Sequence, residues 1–262
     1  MADDEFEDGP RPLSGAEPMP LRRRGIYLLP NLFTTGVLFA GFFAIVQAMN
    51  DRFEIAAIAI YIAMVLDGMD GRVARWTHTA SEFGAQYDSI ADMVAFGVAP
   101  AAVAYEWALK DLGTAGWIAA FVYCAAAGIR LARFNVNIGV VDKRYFQGLP
   151  SPSGAAVMTG LVWMLDGFDL VPEEHVWIAG VTWLVAVFAG LTMVSNLPFY
   201  SFKEFNWKRR VPLWVILAAV IAYALVATRP SLILFALFFA YALSGYILWA
   251  SGRRGRSVLP ED

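Results

Sequence analysis

Apolar runs of about 20 residues recur along this 262-residue chain, and they limit its fold more than any other feature. A helix of that length crosses the hydrocarbon core of a bilayer. Hydrophobic residues make up 58% of the chain and charged residues only 16%, which is apolar-rich and charge-poor for a soluble protein. The expected fold is therefore all-α, a polytopic integral membrane helix bundle. The net charge of −3 says little, because in such a protein the position of a charge matters more than the sum.

The spacing predicts about eight spans, near residues 30–50, 53–74, 84–109, 113–134, 153–165, 176–197, 211–227 and 231–250. Pro30 is placed to open the first helix. Residues 1–24 read as a disordered acidic tail with a basic juxtamembrane cluster at Arg22, Arg23 and Arg24, without the apolar core of a signal peptide. Residues 25–252 form the membrane domain, and 253–262 a basic tail. Alternate loops carry Arg72, Arg75, Lys143, Arg144, Lys203, Lys208, Arg209 and Arg210, whereas the turns between them carry only Arg52, Lys110 and Arg229. That asymmetry predicts both termini in the cytoplasm. The single cysteine, Cys124, lies in an apolar run and reads as a packing residue. No Cys/His cluster offers a zinc site.

One polar stretch interrupts the pattern. Residues 67–92 hold Asp67, Asp70, Asp88 and Asp92, together with Gly71, Arg75, Ser81 and Gly84. Carboxylates at a membrane boundary are costly to desolvate and mark function by default. The spacings of three and four residues put each aspartate pair on one helical face. Two helices side by side then point four carboxylates at one place, where they repel unless protons or cations intervene. Hard oxygen ligands suit Mg²⁺ or Mn²⁺, particularly beside phosphate. Gly71 and Gly84 would let a ligand approach the backbone, Arg75 offers a donor fork for phosphate, and Ser81 a hydroxyl.

The array Asp67, Asp70, Gly71, Ala74, Arg75, Gly84, Asp88, Asp92 resembles the signature D-x2-D-G-x2-A-R-x8-G-x3-D-x3-D of the CDP-alcohol phosphatidyltransferases, with no departure. The resemblance implies transfer of a phosphatidyl group from a CDP-linked lipid to an alcohol with release of CMP. It implies two metal ions, one held by Asp67, Asp70 and Asp88 and a second near Asp67, Asp88 and Asp92, with Asp92 as general base. The residues alone leave that partition open. It also implies that Asn31, at the start of the first span, lies beside the nucleotide with Gly71, Ala74, Arg75, Ser81 and Gly84.

The segments RLARFN (130–135) and GLPSP (148–152) resemble the phosphatidylserine synthase branch of that family. Arg130 and Arg133 are the candidates to bind the carboxylate of L-serine, against a topological role as interfacial arginines. Glycerol 3-phosphate or inositol phosphate remain alternative acceptors, with Lys143, Arg144 and Arg130 for the second phosphate. The partners expected are CDP-diacylglycerol, L-serine, membrane lipid and a second copy of the chain, with no nucleic acid. The expected location is the bacterial cytoplasmic membrane. A cation-coupled transporter would also keep acids in its spans, but the chain carries no inverted repeat.

Overall fold

The computed structural model describes residues 21–77, 81–136, 145–170, 172, 174–200 and 213–251, with backbone alone at some positions that include Ala74 and Arg75. The helices are α1 (Leu21–Ala48), α2 (Phe53–Thr77), α3 (Glu82–Asp92), α4 (Ala99–Trp107), α5 (Thr114–Val136), α6 (Ser151–Asp166), α7 (Val176–Val194), α8 (Leu213–Thr228) and α9 (Pro230–Ala250). A π-helical turn, Met93–Val98, joins α3 to α4, and a 3-10 turn, Leu109–Leu112, follows α4.

The expected spans are visible as helical units, with differences that have physical causes. α1 begins at Leu21 and runs through Pro30, which therefore sits inside a helix and does not start one. The Leu and Arg residues before it are good helix formers, and proline costs such a helix one backbone bond. The chain is not wholly α-helical. Tyr145–Gln147 (β1) pairs antiparallel with Pro198–Tyr200 (β2). α7 stops at Val194, short of the expected Leu197, because the chain turns out at Ser195 to enter this ribbon. Asp51, in the turn between α1 and α2, takes φ 57°, a conformation that aspartate tolerates better than most residues.

Among the described residues, four helical segments are long and apolar enough to cross a membrane: Asn31–Ala48, Thr114–Val136, Val176–Val194 and Pro230–Ala250. This is an integral membrane protein. The other expected spans fall outside that criterion for separate reasons. α2 carries the aspartates and Arg72 in its second half, α3 and α4 are interrupted by the π-turn, and α6 and α8 have 16 residues each.

Small residues let the helices approach. Ala40, Ala44 and Ala48 of α1, Ala56, Ala59 and Ala63 of α2, and Ala91, Ala95 and Ala99 along the α3–α4 unit are all buried. Such stripes give close backbone contact, which is the main source of helix association where lipid competes for every apolar face. A Cβ on Gly41 would lie 2.6 Å from Cα of Ala95, so α1 rests directly on the π-turn. α6 is the central helix: every residue from Ser153 to Trp163 is buried, and α2, α4, α7 and α9 pack around it. The bundle has two distinct ends. At one meet the middle of α1, the second half of α2, α3, the end of α5, the beginning of α6 and the end of α7, joined by the hydrogen bonds described below. At the other, Trp163 Nε1 donates to Glu54 and Trp183 Nε1 to the Ala115 carbonyl.

Candidate active site

α2 delivers Asp67 and Asp70 from its last turns, and α3 delivers Asp88 from the facing helix. Ligand oxygens of Asp67, Asp70 and Asp88 lie within 4.8 Å of one another. Asp70 is buried, and its carboxylate faces that of Asp88 within the same 4.8 Å. Two carboxylates that close repel unless a proton or cation lies between them. One oxygen of Asp88, Oδ1, is buried without a hydrogen-bond partner, and so is Oδ1 of Asp92. Buried polar oxygens are costly to leave unsatisfied. A compact set of hard oxygen donors with unsatisfied lone pairs fits a divalent cation. Asp92 stands outside the tight trio, yet its charge interacts with Asp67, Asp88 and Asp70 and with Arg130.

Second partners hold the trio. Thr34 Oγ1, from α1, donates to Asp70 Oδ2 at 3.3 Å, and both residues are buried. Thr35 pairs with the Tyr87 hydroxyl at 3.0 Å, fastening α1 to α3. Asn135 Nδ2 donates to Ser89 Oγ at 2.9 Å, fastening α5 to α3. Thr34 could not be found from the sequence, because it lies 36 residues from its partner and in an apolar run.

Ser81 caps α3: its Oγ accepts from the Gly84 N–H at 3.0 Å. A Cβ on Gly84 would lie 3.2 Å from Ser81 Oγ and 3.5 Å from Asn31 Oδ1, so Asn31, Ser81 and Gly84 are neighbours. Gly68 and Gly71 are different, since a Cβ on either would meet nothing within 4 Å. Glycine inside a helix costs about 1 kcal/mol relative to alanine, and packing among the described residues gives no reason for it here. The side chains of Ala74 and Arg75 lie outside the described residues, as do His78 and the basic pair Lys143 and Arg144.

The two arginines of α5 differ. Arg130 is 7% exposed; its Nη1 donates to Ser151 Oγ at 2.7 Å, at the first turn of α6, and its Nε is buried without a partner. Arg130 interacts electrostatically with Asp92 and Asp67. Arg133 is engaged by backbone. Its Nη1 donates to the Val194 carbonyl at 3.0 Å and to Asn196 Oδ1 at 3.1 Å, and its Nη2 to the Gln147 carbonyl at 2.9 Å and the Ser195 carbonyl at 3.2 Å. That clasp joins α5 to the last residue of β1 and to the segment that leads into β2. It works because Gly148 takes φ 75° and leaves room where any Cβ would strike the Met193 carbonyl. Ser151, read from the sequence as part of a loop-shaping motif, is thus a partner of the site arginine.

The profile of the CDP-alcohol phosphatidyltransferase family matches residues 27–194, which contain Asn31, Thr34, the four aspartates, Arg130, Arg133 and Ser151. The chain belongs to the CDP-alcohol phosphatidyltransferase family. Similar proteins include one from Helicobacter pylori (strain ATCC 700392 / 26695), 36% identical over 86% of this chain and 92% of its own length. Another, from Mycobacterium tuberculosis (strain ATCC 25618 / H37Rv), is 31% identical over 85% of this chain and 79% of its own. A third, from Methanocaldococcus jannaschii, is 32% identical over 74% and 83%. All three are named CDP-diacylglycerol–serine O-phosphatidyltransferase. The phosphatidyltransferase's α8 and α9 lie beyond the matched region.

Proposed function

We propose that this phosphatidyltransferase transfers the phosphatidyl group of CDP-diacylglycerol to L-serine, giving phosphatidylserine and CMP. The observation that carries the reading is the meeting, at one end of the bundle, of the Asp67/Asp70/Asp88 cluster with a buried arginine in electrostatic reach of Asp92. The names of the similar proteins support serine as the acceptor.

Asp67, Asp70 and Asp88 would hold one divalent cation, Mg²⁺ or Mn²⁺, and Asp92 would join Asp67 and Asp88 at a second. When bound, the cations neutralise the pyrophosphate and stabilise the departing CMP phosphate. The nucleotide would lie over Gly71, whose open face is consistent with a ligand and is not accounted for by packing. Asn31, Ala74, Arg75, Ser81 and Gly84 would border it. Asp92 would take the proton of the serine hydroxyl as the new oxygen–phosphorus bond forms and the bond to CMP breaks. An alcohol is a poor nucleophile at neutral pH, so a base is needed there. Arg130 would receive the serine carboxylate through its free Nε edge. Arg133 has its guanidinium committed to carbonyls, and in this reading it holds the wall of the acceptor site and does not contact serine.

The same reading places the site at the cytoplasmic face of a bacterial inner membrane, with eight spans, both termini cytoplasmic, and a homodimer as the assembly. It keeps residues 25–252 as the catalytic membrane domain between the two tails, which lie largely outside the described residues. Lipid acyl chains would remain in the bilayer while the headgroup reaches the aspartates.

The test is direct. Purified enzyme given CDP-diacylglycerol and labelled serine should place label in lipid and release CMP. Label transfer from glycerol 3-phosphate or inositol phosphate with none from serine would overturn the acceptor assignment and retain phosphatidyl transfer. No transfer to any alcohol would overturn both.

A further inference from the structure

The α3 helix ends at Asp92, and the π-turn begins at the very next residue. In that turn the N–H of Ala99 bonds the carbonyl of Val94, five residues back instead of four. The sequence supplies the cause. Pro100 has no N–H, so the carbonyl four residues before it, that of Phe96, loses its α-helical donor, and the proline ring pushes that carbonyl aside. Phe96 is fully buried, where an unsatisfied carbonyl is costly. A side chain from another helix takes the place of the missing donor. Tyr123, on α5 and fully buried, donates its hydroxyl to the Phe96 carbonyl at 3.0 Å.

The turn is gripped on two further sides. Gly41 of α1 lies so close that a Cβ would be 2.6 Å from Ala95 Cα, and a Cβ on Gly97 would be 3.3 Å from Ala127 Cβ on α5. Neither contact restrains rotation of the Phe96 carbonyl as a hydrogen bond does. The extra residue of a π-turn offsets helical register by about 100° relative to an uninterrupted α-helix. Whether the turn stays π or relaxes therefore decides where Asp92, one residue before it, is aimed.

We propose that Tyr123 is a positioning residue for phosphatidyl transfer: its hydroxyl replaces the donor that Pro100 lacks, holds the π-turn, and so fixes the direction of Asp92. The proposal rests on the reading of Asp92 as the base. Tyr123 itself touches no reacting atom, and its sequence position, in an apolar run far from the aspartates, gives no sign of the role.

The experiment compares wild type, Tyr123→Phe, Pro100→Ala and the double variant, full-length in lipid nanodiscs, with kcat and both KM values measured. Tyr123→Phe keeps the ring and loses only the hydroxyl. The expected result is a fall in kcat of about 10- to 100-fold, as a small misplacement of a reacting group produces, with KM for CDP-diacylglycerol within about twofold. Pro100→Ala restores an N–H for Phe96, so in that background removing the hydroxyl should cost less than about twofold, the non-additivity that marks a shared partner. A Tyr123→Phe enzyme with wild-type kcat overturns the proposal, and so does an equal loss in both backgrounds, which would mean packing alone. Should Tyr123→Phe not fold by itself, recovery of folded protein in the Pro100→Ala background supports the hydroxyl–carbonyl link, and failure in both overturns it. Wild-type turnover of serine in the same assay checks the functional reading separately. If the wild type uses only another alcohol, the comparison is made with that alcohol, and the two failures stay distinct.

Discussion

At the scale of single residues, the site is a problem of charge. Asp67, Asp70 and Asp88 bring their oxygens within 4.8 Å, where like charges repel unless a proton or cation lies between them, and Thr34 donates to Asp70. Activity should therefore require added Mg²⁺ or Mn²⁺. Dialysed enzyme turning over fully in excess EDTA would remove the metal site. Asp67→Asn and Asp88→Asn should each lower kcat at least about 100-fold, or about 3 kcal/mol in the barrier, with the thermal unfolding midpoint retained. The two arginines separate cleanly. Arg130→Ala should raise KM for serine about 10- to 100-fold, the size of one charged hydrogen bond, and leave KM for CDP-diacylglycerol nearly unchanged. Arg133→Ala should act on stability, lowering the unfolding midpoint by releasing four contacts to the 147 and 194–196 segments. An unchanged serine KM in Arg130→Ala would end the carboxylate assignment. The aspartates were legible because their spacing is itself the chemistry. The difference between Arg130 and Arg133 was not, since three residues on one helical face look alike until the partners of each are known.

At the scale of elements, the helices meet through small residues and short hydrogen bonds more than through large side chains. Gly41 against Ala95, and Gly160 against Tyr61 and Phe235, are the tightest of these helix contacts that bear on the site and the central helix. A Cβ on Gly160 would lie 2.7 Å from the Tyr61 hydroxyl, which donates to the Ala156 carbonyl. Gly41→Ala and Gly160→Ala should each destabilise by about 1–3 kcal/mol through overpacking. Thermal unfolding in detergent, read by intrinsic fluorescence, measures it. Gly71→Ala should behave oppositely, because the space above it is open: stability should hold or rise by about 1 kcal/mol, while KM for CDP-diacylglycerol increases. A Gly71→Ala enzyme with normal lipid KM would show that nothing lies over this glycine. Most helix boundaries were visible in hydropathy to within a few residues. The start of α1 and the end of α7 were missed because helix continuation through Pro30 and exit at Ser195 depend on neighbours that no local pattern reports.

At the scale of the whole molecule, the hydrogen bonds sort the chain into two ends. The end with the aspartates also carries Arg130 and Arg133, and the opposite end carries Glu54, Asp166, Asp169 and Glu174 beside Arg52, Lys110 and Arg229. Positive residues favour the cytoplasmic side. With Cys124 replaced, a cysteine at Asp169 should react with an impermeant thiol reagent added outside intact cells, and one at Ser81 should react only after permeabilisation. Reversed labelling would turn the molecule over and place the site away from the cytoplasm.

What the sequence determined by itself was membrane residence, the order of the helices and the aspartate spacing that gathers Asp67, Asp70 and Asp88. Apolar length and carboxylate spacing are properties of neighbours in the chain, and burial in lipid makes both costly to violate. The tertiary structure alone decided which groups share a partner: Thr34 with Asp70, Ser151 with Arg130, Gln147 and the 194–196 segment with Arg133, and Tyr123 with the carbonyl that Pro100 leaves free. Each of these pairs joins different elements, and which residues meet is set by how closely alanine and glycine stripes let helices approach. A hydropathy pattern says which residues enter the bilayer. It does not say which face of a helix turns toward which neighbour, and in this protein the direction of Asp92 depends on that rotation.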